Sequence, residues 1–170
     1  GDDAIVGARF NDDAGITVIG GNSGSAYIFS RSGTTWSQQA KLTASDAAEV
    51  DYFGHTVSMS GDHAIVGANG DNDYGVGGGG IDSGSAYIFS RSGTTWTETA
   101  RLTASDAAEF DNFGISVSMS GDDVIVGAWY NNDDGSDSGS AYTFFLSGTT
   151  WSQQAKLTAS DAAADDRFGF

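Results

Sequence analysis

The residues best able to hold a ligand are acids crowded into two glycine-containing stretches. Asn69-Gly70-Asp71-Asn72-Asp73-Tyr74-Gly75 is followed by Asp82, and Asn131-Asn132-Asp133-Asp134-Gly135-Ser136-Asp137 lies further along. Calcium takes about six to eight oxygens at roughly 2.3–2.6 Å, and carboxylates at alternate positions on a loop that glycine lets curl can supply them. Asp71 and Asp73 have that spacing, so Asp71, Asp73, Asp82, Asp133, Asp134 and Asp137 are the metal-ligand candidates, and calcium is the one cofactor the chain suits. No Glu closes the loop. The competing reading is a solvated turn, because Asn, Asp and Gly all accept left-handed backbone. A second acidic set, Asp46/Asp51, Asp106/Asp111 and Asp161/Asp166, precedes each Phe-Gly. There Ser-Asp-Ala-Ala predicts a short helical turn capped by Ser or Asp, with calcium as the lesser alternative.

Aromatic residues divide by recurrence. Trp36, Trp96 and Trp151 stand at the same place in every unit, which argues for packing. Tyr74, Trp129 and Tyr130 occur singly near loops and are the candidates for contact with a glycan or protein, against the ordinary reading of surface aromatics. Catalysis finds no constellation. The only histidines, His55 and His63, are replaced in the third unit by Ile115 and Asp123, and the chain has no cysteine. Plentiful serines do not make a triad without a positioned base, and no glycine-rich phosphate motif joins a strand to a helix. The chain is read as a non-enzyme.

Charge narrows the partners. Twenty-three acids against seven bases give a formal charge of −16. Phosphate backbones require clustered Lys and Arg, so nucleic acid and anionic lipid are poor candidates as partners. Such a surface repels itself unless salt or divalent cations screen it, which suits a saline or calcium-containing medium. No stretch approaches the roughly 20 apolar residues of a membrane helix, so no membrane insertion is expected. The opening Gly1-Asp2-Asp3 looks like the interior of a repeat, so an export signal is expected to have been removed or to lie outside the sequence.

Internal repetition organises everything else. Gly1-Asp2-Asp3-Ala4-Ile5-Val6-Gly7-Ala8 returns at Gly61 to Ala68 and again at Gly121 to Ala128. SGSAYIFS spans Ser23 to Ser30 and Ser83 to Ser90, and Ser138 to Phe145 reads SGSAYTFF. SGTTW then ends at Trp36, Trp96 and Trp151, each time followed by A-[KR]-L-T-A-S-D-A-A. A deletion between Ala128 and Ser138 falls wholly in the Asn/Asp/Gly stretch, where a surface loop tolerates a change of length.

With 25 glycines and no proline, the chain predicts short strands joined by tight turns. Each unit yields four: Thr56 to Ser60, Ala64 to Ala68, Gly84 to Ser90 and Trp96 to Thr103 in the second. On the third, Ala86 and Ile88 share one face and Tyr87 and Phe89 the other, so both faces are covered. On the fourth, alternation places Trp36, Gln38, Ala40 and Leu42 together and Ser37, Gln39, Lys41 and Thr43 opposite, as in a half-wet edge strand. The fold class is therefore all-β, a tandem array of four-stranded blades of β-propeller type stacked face to face. The Phe-Gly strand is expected at one edge of each sheet and the Trp strand at the other. Repeat 1 covers residues 1–52 and lacks its first strand, repeat 2 covers 53–112, repeat 3 covers 113–167, and 168–170 opens a further first strand.

Phe53-Gly54 followed by Val66-Gly67-Ala68, and Phe113-Gly114 followed by Val126-Gly127-Ala128, resemble the FG-GAP repeat. That repeat builds the β-propeller of integrin α subunits and occurs in bacterial surface and secreted proteins; the longer pattern is most similar to the bacterial branch. The resemblance implies an extracellular or cell-surface adhesion or structural module. Two departures matter. Arg9, Asn69 and Trp129 replace the proline, and the connections at Ser60-Gly61-Asp62 and Ser120-Gly121-Asp122 are too short for the family's calcium loop. A calcium-dependent, lectin-like binding module and an accessory domain of a larger secreted enzyme are the alternatives. Propellers close with about four to eight blades, so three units predict completion by copies of the same chain or by the remaining blades of a longer one.

Overall fold

The computed structural model describes residues 2–12, 21–72 and 80–170, and among these there is no helix. Three antiparallel meanders account for the regular structure. Sheet 1 comprises β1 (Asp3–Ala8), β2 (Ser25–Ser32) and β3 (Thr35–Leu42). Sheet 2 runs β4 (Thr56–Ser60), β5 (His63–Ala68), β6 (Ser85–Ser92) and β7 (Thr95–Leu102). Sheet 3 repeats it as β8 (Ser116–Ser120), β9 (Asp123–Ala128), β10 (Ser140–Ser147) and β11 (Thr150–Leu157). Spatial order follows chain order within each sheet, which puts the Phe-Gly strand and the Trp strand at opposite edges.

The two-faced middle strands generate the core. Ile65 pairs with Ile88 and Gly67 with Ala86, giving sheet 2 an aliphatic face; Ala64 pairs with Phe89 and Val66 with Tyr87, giving it an aromatic one. The aliphatic face packs on Val124, Val126, Tyr142 and Phe144 of sheet 3. The aromatic face packs on Ala26 and Ile28 of sheet 1. Each junction thus joins the aliphatic face of one sheet to the aromatic face of the next.

The fourth strand departs from the expected alternation. Ile28 pairs with Ala40 but Phe29 with Gln38, so Gln39 is an extra residue in the ladder. Thr99 and Gln154 occupy the same bulge in sheets 2 and 3. A bulge inserts one unpaired residue and reverses the facing of everything beyond it. Trp96 therefore packs toward sheet 1 while Ala100 and Leu102 pack toward sheet 3, so the Trp and Leu ends of the strand serve different junctions.

Between sheets, the Phe-Gly dipeptide straddles the boundary. Phe53 donates its N–H to Ser23 O (3.0 Å), whereas Gly54 donates to Gly67 O (3.0 Å) in the next sheet. Phe113 and Gly114 bind Ser83 O and Gly127 O in the same way. Phe168 likewise pairs beside Gly139 of sheet 3, so it is tied to the sheet that precedes it. Phe113 is fully buried and meets Tyr142 and Phe144 edge-on, at centroid distances of 5.5 and 6.0 Å.

The linkers are not helical. Ala47 N–H reaches Ala44 O in a tight turn, and the second acid closes it: Asp51 accepts from Ala48 N–H (2.6 Å), Asp111 from Ala108 (3.0 Å) and Asp166 from Ala163 (2.7 Å). The chain then passes through left-handed backbone at Val50 (φ 70°), Phe110 (69°) and Asp165 (66°). For a β-branched residue that region is a genuine outlier. Val50 is held there by its N–H to Gly21 O (2.7 Å), and its side chain is exposed. Val50→Asn is accordingly expected to stabilise the protein by about 1 kcal/mol, because Asn tolerates the conformation. An unchanged or lower thermal midpoint would show that no strain is stored there.

Candidate functional site

Asp71 does not stand in a solvated loop. Its backbone closes the loop base, donating to Ala68 O and accepting from Gly84 N–H, and its side chain is buried. The carboxylate accepts from the Tyr87 hydroxyl (2.6 Å) and from Arg101 Nη2 (2.9 Å). The Tyr87 oxygen also lies 2.8 Å from Asp46 Oδ1, and Arg101 reaches Asp46 at 3.4 Å. A tyrosine and a cation on sheet 2 thereby tie its loop to the preceding linker. Burial and the adjoining Asp71 carboxylate push the Tyr87 hydroxyl far above the ordinary tyrosine range. At the next junction Tyr142 binds Asp106 (2.9 Å), Lys156 bridges Asp106 (2.7 Å) and Asp133, and Asn131 replaces Asp71.

Asp82, Asp134 and Asp137 serve turns. Asp82 (φ 53°) and Asp137 (φ 55°) adopt left-handed backbone, and their N–H groups donate to Asn72 and Asn132 side chains, each at 2.8 Å. Asp134 N–H faces Ser138 Oγ at 3.3 Å. Asp73 and Tyr74 lie outside the described residues. Among the described residues no three His, Asp or Glu side chains gather where one ion could bind. Asp71 and Asp133 already face cationic side chains. A calcium ion there would need six or more oxygens converging on one point, and Asp71 and Asp133 could contribute only by giving up their contacts with Arg101 and Lys156.

The second acidic set supplies junction residues as well as turns. Asp46 and Asp106 receive the tyrosine hydroxyls, and Asp51 and Asp111 are buried beneath the linker. Asp51 is 3% exposed, and burial pushes its carboxyl up to about 6 against the opposing bond from Ala48 N–H, with Asp71 and Asp46 adding to the rise. Sequence reasoning missed Tyr87, Tyr142, Arg101 and Lys156 as partners of these acids. Their signal was present: the Tyr of SAY and the basic residue of A-[KR]-L recur in every unit.

Two side chains do meet in a way that resembles a dyad. His63 Nδ1 lies 2.9 Å from Ser90 Oγ. In sheet 1 the same positions are Asp3 and Ser30, bonded at 2.6 Å, which identifies a cross-strand polar pair and not a nucleophile with its base. The His63 ring packs edge-on to Trp151 at 6.2 Å. His55 Nδ1 is 2.8 Å from Arg9 Nη1, and burial first, then the Arg9 charge, lowers its pKa.

Trp129 and Tyr130 form a stack (4.4 Å, 29°), extended by Phe170 against Trp129 (4.8 Å, 24°) and capped by Arg167 at 5.3 Å from each ring. Beside Tyr130 opens a cleft of about 430 Å³ lined by Glu109, Phe110, Tyr130, Asn132, Ser136 and Asp137. Phe110 is presented there, 51% exposed, by its left-handed backbone and the bond from its N–H to Ile81 O (2.8 Å). The first two units have Phe10 and Gly70 where Tyr130 stands, so a tyrosine at this position is peculiar to the third.

A family model described as FG-GAP repeat matches residues 36–89, 96–144 and 151–170. Each long match runs from the Trp strand of one sheet, through the linker and Phe-Gly, into the third strand of the next. The family unit is thus a blade junction as much as a blade. No curated protein matches the chain.

Proposed function

The chain belongs to the FG-GAP repeat family, and from that premise we propose that it is a non-catalytic extracellular adhesion or scaffold module that holds a glycan or protein ligand at the loops of its third unit. The cleft beside Tyr130 carries this reading. Two aromatic side chains, Phe110 and Tyr130, line it together with two carboxylates, an amide and a hydroxyl. Aromatic faces cover the apolar CH surface of a sugar ring or a side chain, and a few polar groups then fix its orientation. Two acids and no base line the cleft, which disfavours an anionic ligand. The high negative charge supports an extracellular setting, where salt screens self-repulsion.

Binding to an array of neutral and amino glycans tests the proposal, with Tyr130→Ala and Phe110→Asn as variants. Each is expected to weaken the best-bound glycan at least tenfold while leaving the circular dichroism spectrum intact. Chelator is expected to have no effect, since this reading rests on the aromatic faces and the amide and hydroxyl beside them. Equal binding by wild type and both variants, or hydrolysis of the glycan, would remove the reading.

A further inference from the structure

At the hairpin-turn end of each sheet, an aspartate and the tryptophan of the outer strand flank one residue of the strand between them. Arg31 donates its N–H to Asp2 O (2.8 Å) and pairs across the ladder with Trp36; Arg91 does the same with Asp62 O (2.8 Å) and Trp96. Each guanidinium contacts both flanking side chains. Arg31 Nη2 is 3.0 Å from the Asp2 carboxylate and its Cζ 5.8 Å from the Trp36 ring centre. Arg91 Nη2 is 2.6 Å from Asp62 and its Cζ 5.5 Å from Trp96. Sheet 3 keeps the frame and changes the residue. Leu146 donates its N–H to Asp122 O (2.9 Å) and pairs with Trp151, but it carries no charge. Among the described residues no cation meets the Asp122 carboxylate or the Trp151 ring.

A groove of about 300 Å³ opens beside Leu146 and Trp151 toward sheet 2, where His63, Ser90 and Thr99 form its other wall. At the junction of sheets 1 and 2 the corresponding space is crossed by Arg91, whose Nη1 reaches Asp3 (2.7 Å). Leu146 ends short of where that guanidinium lies, and His63 stands in the place of Asp3. We propose that the groove receives an arginine side chain of a partner protein, in the position that Arg91 takes in sheet 2. The guanidinium lies on the Trp151 ring, whose face attracts cations, and pairs with Asp122 at the groove mouth. With His63 Nδ1 donating to Ser90 Oγ (2.9 Å), the other ring nitrogen accepts one of its remaining N–H groups, and the Thr99 hydroxyl another. Arginine suits this place better than lysine, because a planar fork stacks on indole and presents several donors at once. The formal charge of −16 draws basic partners toward the chain. The groove sits at the hairpin-turn end of the strands and the Tyr130 cleft at the linker end, so neither reading rests on the other.

Titration of the chain with N-acetylargininamide tests the proposal, followed by NMR at the Trp151 indole N–H, the signal that Trp151→Phe removes. A saturable movement of that signal is expected, and none with N-acetylcitrullinamide, which has the same shape without the charge. Three variants then separate the parts of the site. Leu146→Arg supplies a guanidinium from the chain itself and should abolish binding. Asp122→Asn should weaken it at least threefold, the scale of an exposed ion pair. His63→Asp restores the second carboxylate of the first junction and should tighten binding at least threefold, a gain that a damaged fold cannot mimic. No movement of the Trp151 signal by N-acetylargininamide overturns the proposal. Equal movement by the citrulline compound, which would mark a groove for neutral ligands, overturns it as well. So would Leu146→Arg, Asp122→Asn and His63→Asp that all titrate like wild type.

Discussion

Gly67→Ala is expected to cost more than about 3 kcal/mol, and Gly61→Ala only about 1–2 kcal/mol, although both replace a glycine of sheet 2. Gly61 sits at the β4–β5 turn with φ 59° and nothing within 4 Å of an added Cβ, so its penalty is confined to left-handed backbone. A Cβ on Gly67 would lie 2.1 Å from Gly114 O and 2.5 Å from Thr56 Oγ1. Neither neighbour can yield cheaply. Gly114 O accepts the Thr56 hydroxyl (2.9 Å), and Gly114 N–H donates to Gly127 O (2.9 Å), so retreat breaks the attachment of sheet 3. On its other side Gly67 O receives the N–H of Gly54, so the substituted strand cannot slide away without loosening sheet 1. Close-packed backbone transmits such a displacement instead of absorbing it. Denaturant unfolding of the two variants decides the matter: comparable midpoints would show that the glycine column is slack and that the junction is held by side chains alone.

The column also shows which parts of the fold were legible. SAYIFS states its two faces outright, because four consecutive apolar side chains must point alternately to opposite sides of a strand. The stacked all-β architecture follows from that segment and its recurrence. The bulge in the Trp strand had no such mark. WSQQAKL reads as unbroken alternation, and the inserted residue is Gln39 in one sheet, Thr99 in another and Gln154 in the third, with no shared chemistry to betray it. Among the candidate ligands, spacing left one partnership unseen. Asp71 and Asp73 are close in sequence, but Asp71 is bound by Tyr87 and Arg101 from strands further along the chain. A local pattern of carboxylates could not reveal that tertiary claim on one of them. The cleft at Tyr130 was half legible. Tyr130, where the first two units have Phe10 and Gly70, marked a departure from the repeat, while Phe110 became visible only through the backbone conformation that turns it outward.

Asp51→Asn is expected to stabilise the protein at pH 7.5 by an amount on the order of 3 kcal/mol and to flatten its stability profile in mild acid. The carboxyl is almost wholly buried at the junction of sheets 1 and 2. The charged groups around it are Asp46 from its own linker, Asp71 from the loop after β5, and Arg101 on β7. Burial first, and then the Asp71 and Asp46 charges that Arg101 only partly offsets, make ionising Asp51 in the fold unfavourable, and its pKa rises from 3.8 to about 6. A raised folded pKa means that the native state binds the proton more tightly than the unfolded chain does. Stability from this group is therefore fully present below pH 3.8 and lost as the pH climbs through about 6, after which the buried charge remains as a constant cost. Asn keeps the oxygen that accepts from Ala48 N–H and removes the charge, so the turn survives while the cost disappears. Other acids titrate in the opposite sense: Asp3, held by Ser30 and Arg91, has a lowered pKa and stabilises as pH rises. The informative quantity is thus the difference between the wild-type and Asp51→Asn melting profiles from pH 4 to 8, not either profile alone. That difference should be small at pH 4, grow through pH 6 and level off above 7. A difference independent of pH, or a variant less stable than wild type at pH 7.5, would mean that the charged Asp51 is held by its surroundings instead of being stranded among them.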